Sequence, residues 1–597
     1  MLTRRNACIA MLGAGAASKV SFAQNSQRSI DDFFRDFTDD WVRINPDQAT
    51  SLRYFTGPEQ DRLERQLTPL TLASARQRLR AARKGLAELR KFDRTAITET
   101  QRVSAQVMAW QLEMVVAEEP YWDYMFPLEQ MNGWNVSAVE WFTVARPLSK
   151  PRDAENYLAA LGQVSVRMEE AIALSRRLAA KNVLPPRFII EATLKQIQNF
   201  LDPSPGQNPF VTVFADKIAT VDAIPVARRE QLCAEAEKIV GGQIYPSWKK
   251  AAAILQSQLA RSTNDAGLWR LKGGAEAYAF FLRRYTTTNL TADQIHEIGL
   301  QQVARIETRM DALLRQLGRT AGPVKERIAK LKLDLQYPNP KSEESREQIM
   351  RDIDAIIRDA EKRAALLFDL RPKAPVVARP FPRFREANAA ANYNAPAPDG
   401  SRPGTFQFPR RVEWMTSFGL RSVVYHETVP GHHFHIALQV ENHDLPRFMQ
   451  VRALGGISAI TEGWGLYAER LAAESGWYGD DIEGQLGQLD YELMRARRLV
   501  VDTGLHAKRW TRQQAIDYGI EASEVERYTV YPGQACSYML GELKILELRD
   551  KARRALGDRF ALREFHNTVL RAGSVPLQVL ESQVDAYINA AASAIRL

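Results

Sequence analysis

Five of the eight histidines in this 597-residue chain fall in one short window: His426, His432, His433, His435 and His443. Histidine gathered with carboxylates is how proteins hold a borderline divalent ion such as zinc. The local string is Tyr425-His426-Glu427-Thr428-Val429-Pro430-Gly431-His432-His433-Phe434-His435. In a His-Glu-x-x-His helix, two histidines four apart share one face, and the glutamate after the first acts as general base toward water. Here the second histidine comes six or seven residues after the first. On an ideal helix, six residues turn a side chain by about 240°, and seven restore the face but carry it about 10 Å along the axis. Neither spacing lets two imidazoles reach one ion at about 2 Å. The helix must therefore bulge or unwind at Pro430 and Gly431. Pro430 would clash with the carbonyl of His426, and Gly431 tolerates unusual dihedrals.

A third ligand is needed, and Thr461-Glu462-Gly463-Trp464-Gly465-Leu466-Tyr467-Ala468-Glu469 follows about thirty residues later. Glu462 and Glu469 stand seven apart on one helical face, so one can ligate while the other orients a histidine ring. We expect Glu462 as the ligand, with Glu469 as the alternative. Hydrolysis also needs a donor for the developing oxyanion. Arg527-Tyr528-Thr529-Val530-Tyr531-Pro532-Gly533 and Tyr538 supply phenols and a guanidinium around a Pro-Gly turn. Tyr528 and Tyr538 are the leading oxyanion candidates, and His566 is a further catalytic candidate. Arg527 could fork onto a substrate carboxylate. Tyr393, ahead of the turn at Asp399-Gly400, could border a cleft where an edge strand pairs with extended substrate. His296-Glu297 opens like the same motif, but Leu300 stands where its second histidine should be, so it reads as structural.

The elements that must position these groups are helices. Apolar residues recur every three or four positions across 67–90, 99–118, 152–181, 226–262, 291–317, 344–367, 482–507, 533–556 and 576–595. Thr291 with Gln294, and Ser345 with Gln348, have the spacing of capping boxes. Strand signals are confined to 374–410, around Val376-Val377 and Thr405–Phe408. The turn-rich stretch between them predicts a hairpin beside a cleft. No fixed-period repeat is present. The reading is mainly α: one large helical body over 24–597 with a small β element. A mainly helical half spans 24–370, and the half carrying the site spans 371–597.

Residues 1–23 read as an export signal, with Arg4 and Arg5 ahead of a short apolar stretch and Ser21-Phe22-Ala23 at the cleavage position. That stretch is too short to span a bilayer. The expectation is an exported, periplasmic protein with no membrane span. The net charge of +9 comes from 80 basic and 71 acidic residues without a basic block, so nucleic acid is not an expected partner. Three cysteines exclude a disulfide framework and a cysteine-ligated zinc site, although Cys233 and Cys536 could pair.

The strings YHETVPGHHFH, EGWGLYAER, RYTVYPGQACSYMLGELKILELR and LREFHNTVLRAGSVPLQVLE resemble the bacterial domain of unknown function 885 family. Those proteins look like divergent gluzincins, similar in fold to carboxypeptidase Taq, thimet oligopeptidase and angiotensin-converting enzyme. The resemblance covers most of the chain and implies a helical zincin fold split by a long channel. It also implies Zn²⁺ held by two histidines and a glutamate. Matching on Gly431 makes His432 the second ligand, with His433 the alternative. The implied activity is zinc-dependent hydrolysis of short peptides, with Glu427 as base and His426, His432 and Glu462 on the metal. The competing readings are a zinc hydrolase of a non-peptide amide, a ferrous oxygenase, and an inactive peptide-binding protein.

Overall fold

The computed structural model describes residues 28–593 apart from 382–385, 387–389, 399 and 401. The expected export signal at 1–23 lies outside the described residues. The protein is mainly helical, and most helices fall where apolar periodicity places them. Glu99–Ala117, Ala292–Gln316, Ile482–Ala507 and Leu577–Ser593 are examples. Thr291 makes the expected capping box with Gln294. The second expected box is displaced: Ser342 caps the helix Glu343–Ala364, and Ser345 sits one turn inside it. The acidic pair Glu343-Glu344 therefore lies in the first turn, where the helix dipole favours it.

Among the described residues three large cores are buried. One joins the first helices (Ile30, Phe33, Met108) to the second half of the molecule (Val424, Trp464, Phe565). The packing thus crosses the expected division at residue 370. A second core lies entirely between Leu67 and Leu255. A third binds the long helices Ala292–Gln316 and Ile482–Ala507 to the helix Ser537–Leu556. Two close crossings set the frame of the site. Gly299 meets Leu499 and Val500, and Gly463 meets Gly541, where an added Cβ would stand 2.5 Å from the facing backbone.

Among the described residues the β element has three strands: β1 (Val376–Pro380), β2 (Asn392–Asn394) and β3 (Gly404–Phe408). The order is β1-β3-β2. The two apolar segments seen in the sequence do not form a hairpin with each other. They run parallel, with Val376 opposite Gly404, and the antiparallel arm is the short β2, with Tyr393 opposite Phe406. Cys233 and Cys536 are both free thiols, so the pairing left open by the sequence is not made. No helix among the described residues is long and apolar enough to cross a membrane.

Candidate metal centre

The helix Leu420–Glu427 delivers His426 and Glu427 in its last turn and then stops. Thr428 leaves helical dihedrals (φ −116°, ψ −106°), the Val429–Pro430 bond is cis, and Gly431 takes φ −81°, ψ −124°. A new helix, His432–Glu441, starts at once. A Cβ at Gly431 would lie 2.0 Å from the His426 carbonyl oxygen, so no other residue fits there. Trp464 Nε1 donates to the Pro430 carbonyl at 2.9 Å and ties the break to the neighbouring helix. The outcome is the unwinding that the spacing demands. The His426 and His432 rings end 4.6 Å apart, centroid to centroid.

The neighbouring helix, Ser458–Glu474, presents Glu462, Gly465 and Glu469 along one face. Glu462 Oε2 lies 3.5 Å from His426 Nε2 and 3.4 Å from His432 Nε2. Gly465 makes room for the His426 ring, which an added Cβ would approach to 2.6 Å. Glu469 accepts from His426 Nδ1 at 2.7 Å and is itself held by the Ser422 hydroxyl and, at 3.6 Å, by Arg495. That bond fixes the ring orientation and directs Nε2 toward Glu462. Glu469 thus stands behind the ring, while Glu462 faces the point of convergence.

The two adjacent histidines differ as sharply. His433 spends Nδ1 on the Tyr393 hydroxyl at 2.9 Å and Nε2 on the Ala374 carbonyl at 3.0 Å. It holds β2 and the approach to β1, and burial drops its pKa to about 4. His432 turns Nε2 to Glu462. Glu427 completes the group: an oxygen of its carboxylate and one nitrogen each from His426 and His432 lie within 4.8 Å of one another. Its Oε2 has no hydrogen-bond partner among the described residues, and burial raises its pKa. Burial presses the His426 pKa down, but bonding to Glu462 and Glu469 outweighs it and lifts the value to about 10. Buried carboxylates therefore make this point favourable for positive charge.

The group opens into a cleft of about 1170 Å³. Tyr538 lines it with its ring nearly parallel to that of His426, centroids 6.4 Å apart. Arg527 also lines it, yet its guanidinium is already engaged. It reaches Glu524 at 3.4 Å, Gln534 at 2.5 Å and the Tyr538 hydroxyl at 3.3 Å. Tyr393 borders the cleft on the edge strand β2, with its hydroxyl given to His433. Two expected catalytic groups do not reach the cleft. Tyr528 is fully buried, donating to Glu524 at 2.9 Å and accepting from Arg498 at 3.0 Å, so it braces the wall and cannot meet an oxyanion. His566 is buried between the Tyr467 hydroxyl at 2.8 Å and the Leu367 carbonyl at 3.0 Å, stacked on Phe368. Both its nitrogens are structural.

The profile of a bacterial family of unknown function, DUF885, matches residues 46–584. The chain belongs to the DUF885 family. No curated protein matches it. Among solved structures, this DUF885 chain is similar to a candidate lipoprotein from Colwellia psychrerythraea. The two are 31% identical, the match covers 94% of this chain and all of that one, and the TM-score is 0.89. It shares its fold, at 19% identity and a TM-score of 0.68, with a candidate lipoprotein of unknown function from Shewanella oneidensis, over 93% and 99% of the two chains.

Sequence reasoning missed one face of the site in this DUF885 chain. Tyr491, Arg495 and Arg498 all line the cleft from the long helix Ile482–Ala507. Their spacing of four and three was the available signal. His296 is bonded to Thr503 at 2.8 Å within a regular helix, away from the metal group.

Proposed function

We propose that this protein is a zinc-dependent hydrolase of peptide bonds in short peptides. His426, His432 and Glu462 hold the ion, and Glu427 is the proton acceptor. One observation carries the reading: Glu462 Oε2 stands 3.5 and 3.4 Å from the Nε2 atoms of His426 and His432. Tetrahedral zinc with bonds of about 2.1 Å needs donor atoms about 3.4 Å apart. The donor set, two imidazoles and a carboxylate, suits that ion and leaves a position open.

A divalent ion held there supplies Lewis acidity, acidifying water and polarising a carbonyl oxygen. The protein supplies the rest. Glu427, buried and with a free oxygen, is poised to take a proton and return it to the leaving amine. The Tyr538 hydroxyl, open to the cleft beside His426, is the donor offered to the oxyanion. Glu469 and Ser422 keep the His426 ring in place. Walls on both sides of the cleft favour extended short peptides over folded proteins. The resemblance to gluzincins set out above supports the same reading. We also propose that the protein is exported, on the strength of residues 1–23 and of relatives described as candidate lipoproteins.

Metal quantitation with a peptide-library digest, with and without chelator, tests this. One equivalent of zinc and chelator-sensitive cleavage are expected. Glu427→Gln should keep the metal and lose at least about 10²-fold in rate. Full activity in that variant overturns the mechanism, and cleavage that ignores the chelator overturns the metal.

A further inference from the structure

Arg452 follows the short helix Arg447–Gln450 and takes φ +51°. This is the left-handed region where glycine or asparagine normally ends a helix. The turn is fixed: the Arg452 N–H donates to the Met449 carbonyl at 3.1 Å, and the Gly455 N–H donates to the Arg452 carbonyl at 2.9 Å. Glycines follow at 455 and 456, yet the strained position carries a long cationic side chain. A side chain kept where the backbone disfavours it points to function.

Its guanidinium opens onto the same cleft as His432, Glu462 and Tyr393. The other cleft arginines each have a carboxylate. Arg411 meets Glu413 at 3.3 Å, Arg495 meets Glu469 at 3.6 Å and Arg497 meets Glu307 at 2.8 Å. Arg498 and Arg527 share Glu524, at 2.8 and 3.4 Å. Among the described residues Arg452 makes no side-chain hydrogen bond or close ion pair; Glu462 and Tyr393 act on it only through space. A half-buried guanidinium whose N–H groups have no hydrogen-bond acceptor is costly, and a planar fork is the group best shaped to take a carboxylate.

We propose that Arg452 is the specificity determinant of the cleft, binding a carboxylate of the peptide, either its C-terminus or an acidic side chain. This rests on the peptidase reading. Arg527, the sequence candidate for that role, is already committed to Glu524 and Gln534.

The test compares kcat/KM over matched short peptides: free acid, C-terminal amide, and amides carrying Glu or Gln near the scissile bond. The wild type should favour a carboxylate by on the order of 10- to 100-fold. Arg452→Gln should bring that ratio close to one, and Arg452→Lys should keep part of it. Arg452→Gly removes the backbone penalty, so it should raise Tm while the ratio still collapses, which a merely structural arginine would not do. Preference in the free-acid arm identifies the terminus; preference in the Glu arm identifies the side chain. A ratio unchanged in Arg452→Gln overturns the inference. If no peptide is cleaved at all, the peptidase reading fails by itself. Calorimetric binding of the same acids and amides to wild type and Arg452→Gln then decides the inference, and equal affinities overturn it.

Discussion

With Nδ1 of His426 bonded to Glu469 at 2.7 Å, the ring is held in the orientation that a ligand at Nε2 requires. Glu469→Gln keeps an acceptor but removes the charge, and it leaves Arg495, 3.6 Å away, without its acid. Zinc affinity should fall about 10- to 100-fold, read by competition with a chromophoric chelator. His433→Gln is the contrasting case. It breaks the bonds to Tyr393 and Ala374, so it should cost about 1–3 kcal/mol in denaturant unfolding. The bound zinc should stay at one equivalent; loss of metal would make His433 a ligand. Chemistry at this scale was legible only in part. Residue type and spacing brought His426, His432 and Glu462 together because Pro430 and Gly431 left the chain few other routes. The same logic failed for Tyr528 and His566, since a sequence does not show which polar atoms are already spent inside the fold. Tyr528 is bonded to Glu524 and Arg498, and His566 to Tyr467 and Leu367.

At the scale of elements, the helix Ser458–Glu474 carries three parts of the site at i, i+3 and i+7: the carboxylate facing the two imidazoles, the gap for the His426 ring, and the carboxylate behind it. Gly465 is the sensitive member. Its Cβ would stand 2.6 to 2.9 Å from three atoms of a ring that Glu469 prevents from retreating. Gly465→Ala should therefore lower zinc affinity at least about tenfold while costing about 1–3 kcal/mol in stability, the usual penalty of an overpacked contact. Paired chelator competition and thermal melts would show it, and unchanged affinity would mean that the ring is free to move. This face was readable, because helical periodicity needs only local sequence. The sheet was less so. β2 is three residues long, and β1 and β3 pair in parallel across twenty-three intervening residues. A two-residue alternation cannot announce either arrangement. The start of Glu343–Ala364 was misjudged for a related reason: Ser342 and Ser345 are both good caps, and only tertiary contacts choose between them.

For the whole molecule, the cleft is lined from regions that belong to different cores. Gln130, Lys195 and Gln196 line it from the part of the chain whose apolar residues cluster between Leu67 and Leu255. The candidate metal centre lies on the other wall, in the core that joins Phe33 and Met108 to Trp464 and Phe565. Chains of this length outgrow a single core, and separate cores need not melt together. The metal's binding energy should reach only the body that holds it, because a ligand stabilises what it binds by about 4 kcal/mol at a thousandfold excess over Kd. Differential scanning calorimetry should thus resolve two transitions. Chelation should lower the one belonging to the body with His426 and Glu462 by several degrees and leave the other in place. Equal displacement of both would show that the cleft walls unfold as one unit, and that closure on a peptide must strain the whole chain rather than move one body against the other.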